Sequence, residues 1–150
     1  MLYIDCDPSQ SGDPSRIAWL HEIAGEGIDL ITAPTGEDGV TLARSCQPDL
    51  ILLELGPPWR SGVEVITRLR ESRETYLIPL VALSSTDCEK LPGLSMYCRR
   101  PVNAPEFLMM LRLLLQRAPV GNRGAHSSSE GRPPSLARRR LLPRAAPAQS

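Results

Sequence analysis

Gln47-Pro48-Asp49-Leu50-Ile51-Leu52-Leu53-Glu54-Leu55-Gly56-Pro57-Pro58-Trp59-Arg60-Ser61-Gly62 is the stretch on which the fold turns. From Leu50 to Leu55 the chain is apolar except for one acid, Glu54. So short and continuous a run, bounded by Pro48 on one side and Gly56-Pro57-Pro58 on the other, predicts a strand covered on both faces that feeds a turn. Residues 62–72 then carry Val63, Ile66 and Leu69 at helical spacing, which predicts a helix with those three side chains inward.

The same alternation extends in both directions. Residues 1–6 form a short apolar strand, and Gly12-Asp13-Pro14 is a start signal for a helix over 14–24 with Ile17, Leu20 and Ile23 on one side. Residues 28–33 predict a strand, and 37–45 a helix in which Val40, Ala43 and Arg44 share a face. Strands over 77–83 and 94–98 and a helix over 104–117 complete the pattern. Strands alternating with helices imply a parallel sheet with helices on both faces, and in such sheets the site lies at the carboxyl ends of the strands.

Composition narrows the classes further. One domain of 117 residues plus an appendage of 33 fits the length. Residues 1–117 hold 16 acids against 11 bases, net −5, whereas 118–150 hold six arginines and one acid, net +5. That second segment, rich in Pro, Ser and Arg, has few residues able to build a core and reads as a disordered basic tail. Its Leu136-Ala137-Arg138-Arg139-Arg140-Leu141-Leu142 could engage an acidic partner, a nucleic acid or an anionic membrane surface. Specific DNA reading is not expected, since the tail has no aromatic residue and no recognisable DNA-binding motif.

No apolar run is long enough to span a membrane and no signal-peptide pattern is present, so a cytoplasmic location is expected. Cys6, Cys46, Cys88 and Cys98 show no CxxC spacing and read as free thiols. His21 and His126 have no nucleophile arrangement around them and there is no Gly-rich phosphate loop, so no enzyme activity and no catalytic residue is expected.

The chain over roughly residues 1–117 resembles the receiver domain of bacterial response regulators, the CheY-like family. The resemblance rests on Leu2-Tyr3-Ile4-Asp5-Cys6-Asp7-Pro8, Ala33-Pro34-Thr35-Gly36-Glu37-Asp38-Gly39, the Leu50–Gly62 stretch, the strand ending at Ser84, and Tyr97-Cys98-Arg99-Arg100-Pro101. It implies a flavodoxin-like five-stranded sheet of order 2-1-3-4-5. It also implies a phosphorelay function, in which an acidic pair after the first strand holds magnesium and an aspartate on the third strand accepts phosphate.

Several of those positions are altered. Asp5 and Cys6 stand at the acidic pair, with Asp7 beside them, and a thiol is a poor partner for magnesium. Glu54 stands at the phosphoacceptor, and Arg100, before Pro101, replaces the usual lysine. Arginine is a planar fork suited to bidentate pairing with a carboxylate, so Glu54 and Arg100 are expected to pair, with Ser84 donating its hydroxyl to the same carboxylate. Tyr97 stands at the receiver's rotating aromatic, which together with Ser84 would form the switch.

The connection between Ser84 and Arg100 is about six residues shorter than a receiver's, leaving room for about two turns at ~3.6 residues each, so a shortened fourth helix or a loop is expected there. In the last helix Asn103 and Glu106 form a capping pair. Phe107, Met110, Leu111 and Leu114 are expected to face the sheet, with Leu108, Met109, Leu113 and Leu115 left over as a second stripe that fits a partner or homodimer contact.

The leading expectation is therefore a degenerate pseudo-receiver, a two-component module that acts by protein–protein interaction with a histidine kinase or output protein, independently of phosphorylation. One alternative is a conventional phosphoacceptor with residual magnesium-dependent transfer through Asp5, Asp7 or Glu54. Another is an adaptor whose basic tail carries the binding. No cofactor is expected, the weak candidates for a magnesium ion being Asp5, Glu54 and Gly56.

Overall fold

The computed structural model describes residues 1–7, 9, 11–86 and 91–117. In chain order these form β1 (Leu2–Cys6), α1 (Pro14–Gly25), β2 (Ile31–Ala33), α2 (Gly36–Cys46), β3 (Ile51–Leu55), α3 (Arg60–Glu71), β4 (Leu80–Ser84), β5 (Met96–Arg99) and α4 (Ala104–Arg117). The five strands make one parallel sheet in the order β2-β1-β3-β4-β5, as expected. The basic tail and Cys88 lie outside the described residues.

Because successive side chains of a strand point to opposite faces, the sheet sorts its residues into two cores. Leu2, Ile4 and Cys6 of β1 lie with Ile51, Leu53 and Leu55 of β3 against Val40 and Ala43 of α2 and Val65, Ile66 and Leu69 of α3. On the other face Tyr3, Leu50, Leu52, Val81 and Leu83 meet Trp19, Leu20 and Ile23 of α1 and Phe107, Leu108 and Leu111 of α4. Each fully buried Leu or Ile contributes about 1.5–3 kcal/mol relative to exposure.

Local signals set where the helices begin. Asp13 caps α1, its carboxylate accepting from the Ser15 amide at 2.9 Å, and Pro14 supplies a preset φ at the first position. Thr35 caps α2 by accepting from the Asp38 amide at 3.1 Å, with Glu37 and Asp38 in the first turn favouring the helix dipole. Helix α3 starts two residues earlier than expected and buries Gly62, Val65, Ile66 and Leu69. Val63, expected inward, is left 38% exposed, because the buried stripe of α3 is centred on Gly62, Val65, Ile66 and Leu69. Arg44 of α2 is likewise exposed.

The connection between β4 and β5 contains no helix among the described residues. Leu91 and Leu94 instead pack against the α2–α3 core, a loop doing part of what a helix would do. Gly93, at φ +90°, comes so close to α3 that a Cβ there would lie 3.0 Å from Ile66 Cγ2 and 3.1 Å from Arg70 Cγ. Arg70 fixes the segment from the other side. Its Nε donates to the Gly93 carbonyl at 2.7 Å, and Nη1 donates to the carbonyls of Tyr76 and Ile78 at 2.9 Å.

Candidate functional site

At the carboxyl ends of β1 and β3 the register sets Asp5 opposite Glu54. Tyr3 and Asp5 occupy odd positions of β1 and Glu54 the matching face of β3, so all three project on the α1–α4 side. Asp7, just past the strand, keeps the same parity and turns back. Its amide donates to Asp5 Oδ1 at 3.0 Å, and its carboxylate lies against Gly56, where a Cβ would collide with it.

Glu54 is fully buried. Both its oxygens are held by the Arg100 fork, with Nε donating to Oε1 at 2.8 Å and Nη2 to Oε2 at 2.7 Å. The Tyr3 hydroxyl donates to Oε2 at 3.2 Å. Burial first, and the Glu54 charge second, push the Tyr3 phenol far up, so it remains a neutral donor. Arg100 is itself positioned by Trp19, its guanidinium carbon 4.9 Å from the ring centroid, and Trp19 leans on Phe107 with centroids 4.9 Å apart.

A second guanidinium enters from α1. Arg16 is 4% exposed and donates from Nη2 to Asp7 Oδ2 at 2.8 Å. The same nitrogen lies 3.4 Å from Glu54 Oε1, and Nη1 lies 3.7 Å from Asp5 Oδ1. Burial alone would raise the Asp7 carboxyl, but the Ser9 hydroxyl and the Arg16 guanidinium outweigh it and hold Asp7 below the usual carboxylate range. Burial pulls on Arg16 in the opposite sense and is outweighed by Asp7 and Glu54, which raise it. Three carboxylates thus face two guanidinium groups at contact distance, leaving one net negative charge.

Asp5, Asp7, Glu54 and Arg100 are therefore together, and four other expected members are placed elsewhere. Cys6 lies on the opposite face, 5% exposed within the α2–α3 core, where burial and then Asp5 push its thiol up to about 12. Ser84 does not donate to Glu54. It pairs with Leu55 in the sheet and shares that residue's face, so its oxygen instead accepts from the Thr86 amide at 3.2 Å. Tyr97 is half-buried against the α2–α3 core and donates to the Thr86 carbonyl at 2.6 Å. Pro101, joined to Arg100 by a cis bond, is exposed.

Sequence reasoning missed Arg16, Tyr3 and Trp19. A usable signal was present, because Arg16 stands four and seven residues before Leu20 and Ile23, a charge on the buried stripe of its own helix. Tyr3, two residues before Asp5, shares its side of the strand.

Magnesium requires a near-octahedral shell of oxygens at about 2.0–2.1 Å, and the residues present do not fit it. Cys6 points away, and the Gly56 carbonyl accepts from the Trp59 amide at 3.0 Å. Asp7 Oδ1 accepts from Ser9, Oδ2 accepts from Arg16, and both Glu54 oxygens are taken by Arg100. Among the described residues no group of three or more His, Cys, Asp or Glu side chains is placed to hold a metal ion. Nor is any helix among them long and apolar enough to cross a membrane.

No protein-family model matches the chain. Solved structures do match. A response regulator from Desulfuromonas acetoxidans is 25% identical, with a TM-score of 0.64 over 77% of this chain and 94% of that one. A chemotaxis response regulator of Vibrio cholerae is 20% identical, with a TM-score of 0.61 over 75% and 95%. The receiver domain of a sensor histidine kinase from Pseudomonas aeruginosa is 19% identical, with a TM-score of 0.62 over 77% and 95%, and carries a magnesium ion coordinated in its active site cleft. With its parallel sheet in the order 2-1-3-4-5 and its acidic pocket at the carboxyl ends of β1 and β3, the chain has the CheY-like fold of response-regulator receiver domains.

Proposed function

We propose that this chain is a receiver-like signalling module of the two-component type that works by protein–protein contact and takes up no phosphoryl group. The observation that carries this reading is the Glu54 carboxylate, buried and gripped through both oxygens by Arg100. An attacking carboxylate needs a free lone pair aimed at phosphorus, and a misplacement of about 1 Å can cost roughly a hundredfold. Glu54 has its lone pairs committed and its reach extended by a methylene relative to aspartate. The pair also supplies in fixed form the charge-assisted contact that a phosphorylated receiver would gain on modification.

The partner on this reading is a histidine kinase or an output protein. The surface offered to it comprises α4, where Met109, Leu113 and Leu115 are exposed, the edge strand β5 and the connection before it, which holds no helix among the described residues. Leu108, which the sequence left on the same outer stripe, is buried, so the apolar area available is smaller than expected. The deciding experiment is incubation of the full chain with acetyl phosphate and MgCl2, followed by intact-mass spectrometry. An unchanged mass is expected, and a stable gain of one phosphoryl group overturns the proposal.

A further inference from the structure

We infer that Arg16 is the resident cation of this pocket and that it occupies the space a divalent ion would need between the Asp7 and Glu54 carboxylates, so that the ion is excluded. Asp5, Asp7 and Glu54 converge from two strand ends and one turn, and the space on which they converge contains the Arg16 guanidinium. An ion bridging Asp7 and Glu54 would have to lie where Nη2 lies, 2.8 Å from one carboxylate and 3.4 Å from the other. An ion placed beside the guanidinium instead would meet a like charge in a site from which water is largely excluded, Arg16 and Asp7 being 4% and 2% exposed.

Arg16 cannot easily withdraw to make room. It belongs to the first full turn of α1, whose start is pinned by Pro14 and the Asp13 cap. Trp19 and Leu20, on the same side of that helix, are buried against the sheet. The guanidinium is thus delivered by a packed element, in contrast to a surface side chain free to swing out. This inference deepens the phosphate-independent reading and rests on it in treating the pocket as satisfied by its own side chains.

The test compares the full-length chain with Arg16→Gln, which keeps polar donors and removes the charge. Melting temperature is followed as MgCl2 is added, with NaCl at matched ionic strength as the control. Wild type is expected to show no rise beyond that control. Arg16→Gln, left with three carboxylates and only Arg100, is expected to melt lower without metal and to gain stability progressively with magnesium, as ligand linkage requires. A folded Arg16→Gln chain that gains nothing overturns the inference, as does a magnesium-specific rise in wild type.

If Arg16→Gln does not fold, the amplitude of the free Mn2+ electron paramagnetic resonance signal mixed with wild type decides the matter. An undiminished signal supports exclusion, and a signal lost to bound ion overturns it. The two proposals fail separately. Wild type that binds metal and keeps its mass with acetyl phosphate sinks only the exclusion by Arg16, whereas a phosphorylated chain sinks the proposed function.

Discussion

Glu54 is the residue on which the pocket depends, since Arg100 and Tyr3 donate to it and the Arg16 guanidinium lies 3.4 Å from its carboxylate. Replacing Glu54 with Gln keeps its size and removes its charge, leaving two buried guanidinium groups short of a counterion. Breaking a buried pair from one side typically costs about 3–5 kcal/mol. Urea unfolding of Glu54→Gln is expected to show a loss in that range without any phosphodonor present, and a variant within about 0.5 kcal/mol of wild type, the size of an ordinary surface change, would show that the pair contributes nothing.

Titration sets two further limits at the residue scale. Asp7 holds its proton less tightly folded than unfolded, so it adds stability above its unfolded value of 3.8, and that stability is lost as pH falls through the lower folded value. Cys6 behaves oppositely, because its folded value of about 12 exceeds the ordinary 9.0. Between those values the unfolded chain has released a proton that the folded chain keeps, so stability falls as pH rises through that window. Unfolding free energies measured across pH 9 to 12 should decline in wild type and decline less in Cys6→Ala. Equal slopes would remove Cys6 as a cause.

At the scale of elements, the described part of the shortened β4–β5 connection is held by Arg70. Its guanidinium donates to the carbonyls of Gly93, Tyr76 and Ile78, joining two loops across the end of α3. Hydrogen bonds to a charged group contribute about 1.5–3 kcal/mol, and carbonyls left without the donor add to the loss. Arg70→Met, which keeps the aliphatic stem, is expected to cost about 2–3 kcal/mol by chemical denaturation and to speed amide exchange in residues 91–95. Unaltered exchange there would mean the loop is held by Leu91 and Leu94 alone.

How much of this was legible in the sequence differs element by element. The order of strands and helices could be read from apolar runs and their spacing, whereas the shortened connection and the Glu54–Arg100 pair followed from the resemblance to receiver domains together with the chemistry of arginine. What failed was side and phase. Cys6 and Ser84 are adjacent to the right residues in sequence but lie on the other face of their strands, a difference of one residue in a period of two. Val63 lies off the buried stripe because that stripe runs through Gly62, Val65, Ile66 and Leu69, so Val65 takes the inward place. Arg16 was passed over because a charge near a helix start reads as solvated unless its position on the apolar stripe is checked.

For the whole molecule, both core clusters are complete within residues 1–114, and the chain from Met1 to Pro119 forms one compact unit. A chain ending at residue 119 is therefore expected to keep a cooperative melt within a few degrees of full length, a span equivalent to about 1 kcal/mol or less. A non-cooperative melt would show that the tail contributes to the core. The same truncation changes net charge from zero to −5 by removing six arginines and one acid, so retention on an anion exchanger should increase.

The stacking of Arg100 on Trp19 has an optical consequence. The chain has two tryptophans, and Trp59, only partly buried, starts α3 away from that stack. In a Trp59→Phe chain the remaining indole lies under Arg100, the cation that holds both Glu54 oxygens, so its emission becomes a direct readout of whether the clasp is closed. The pocket carries its own fluorophore.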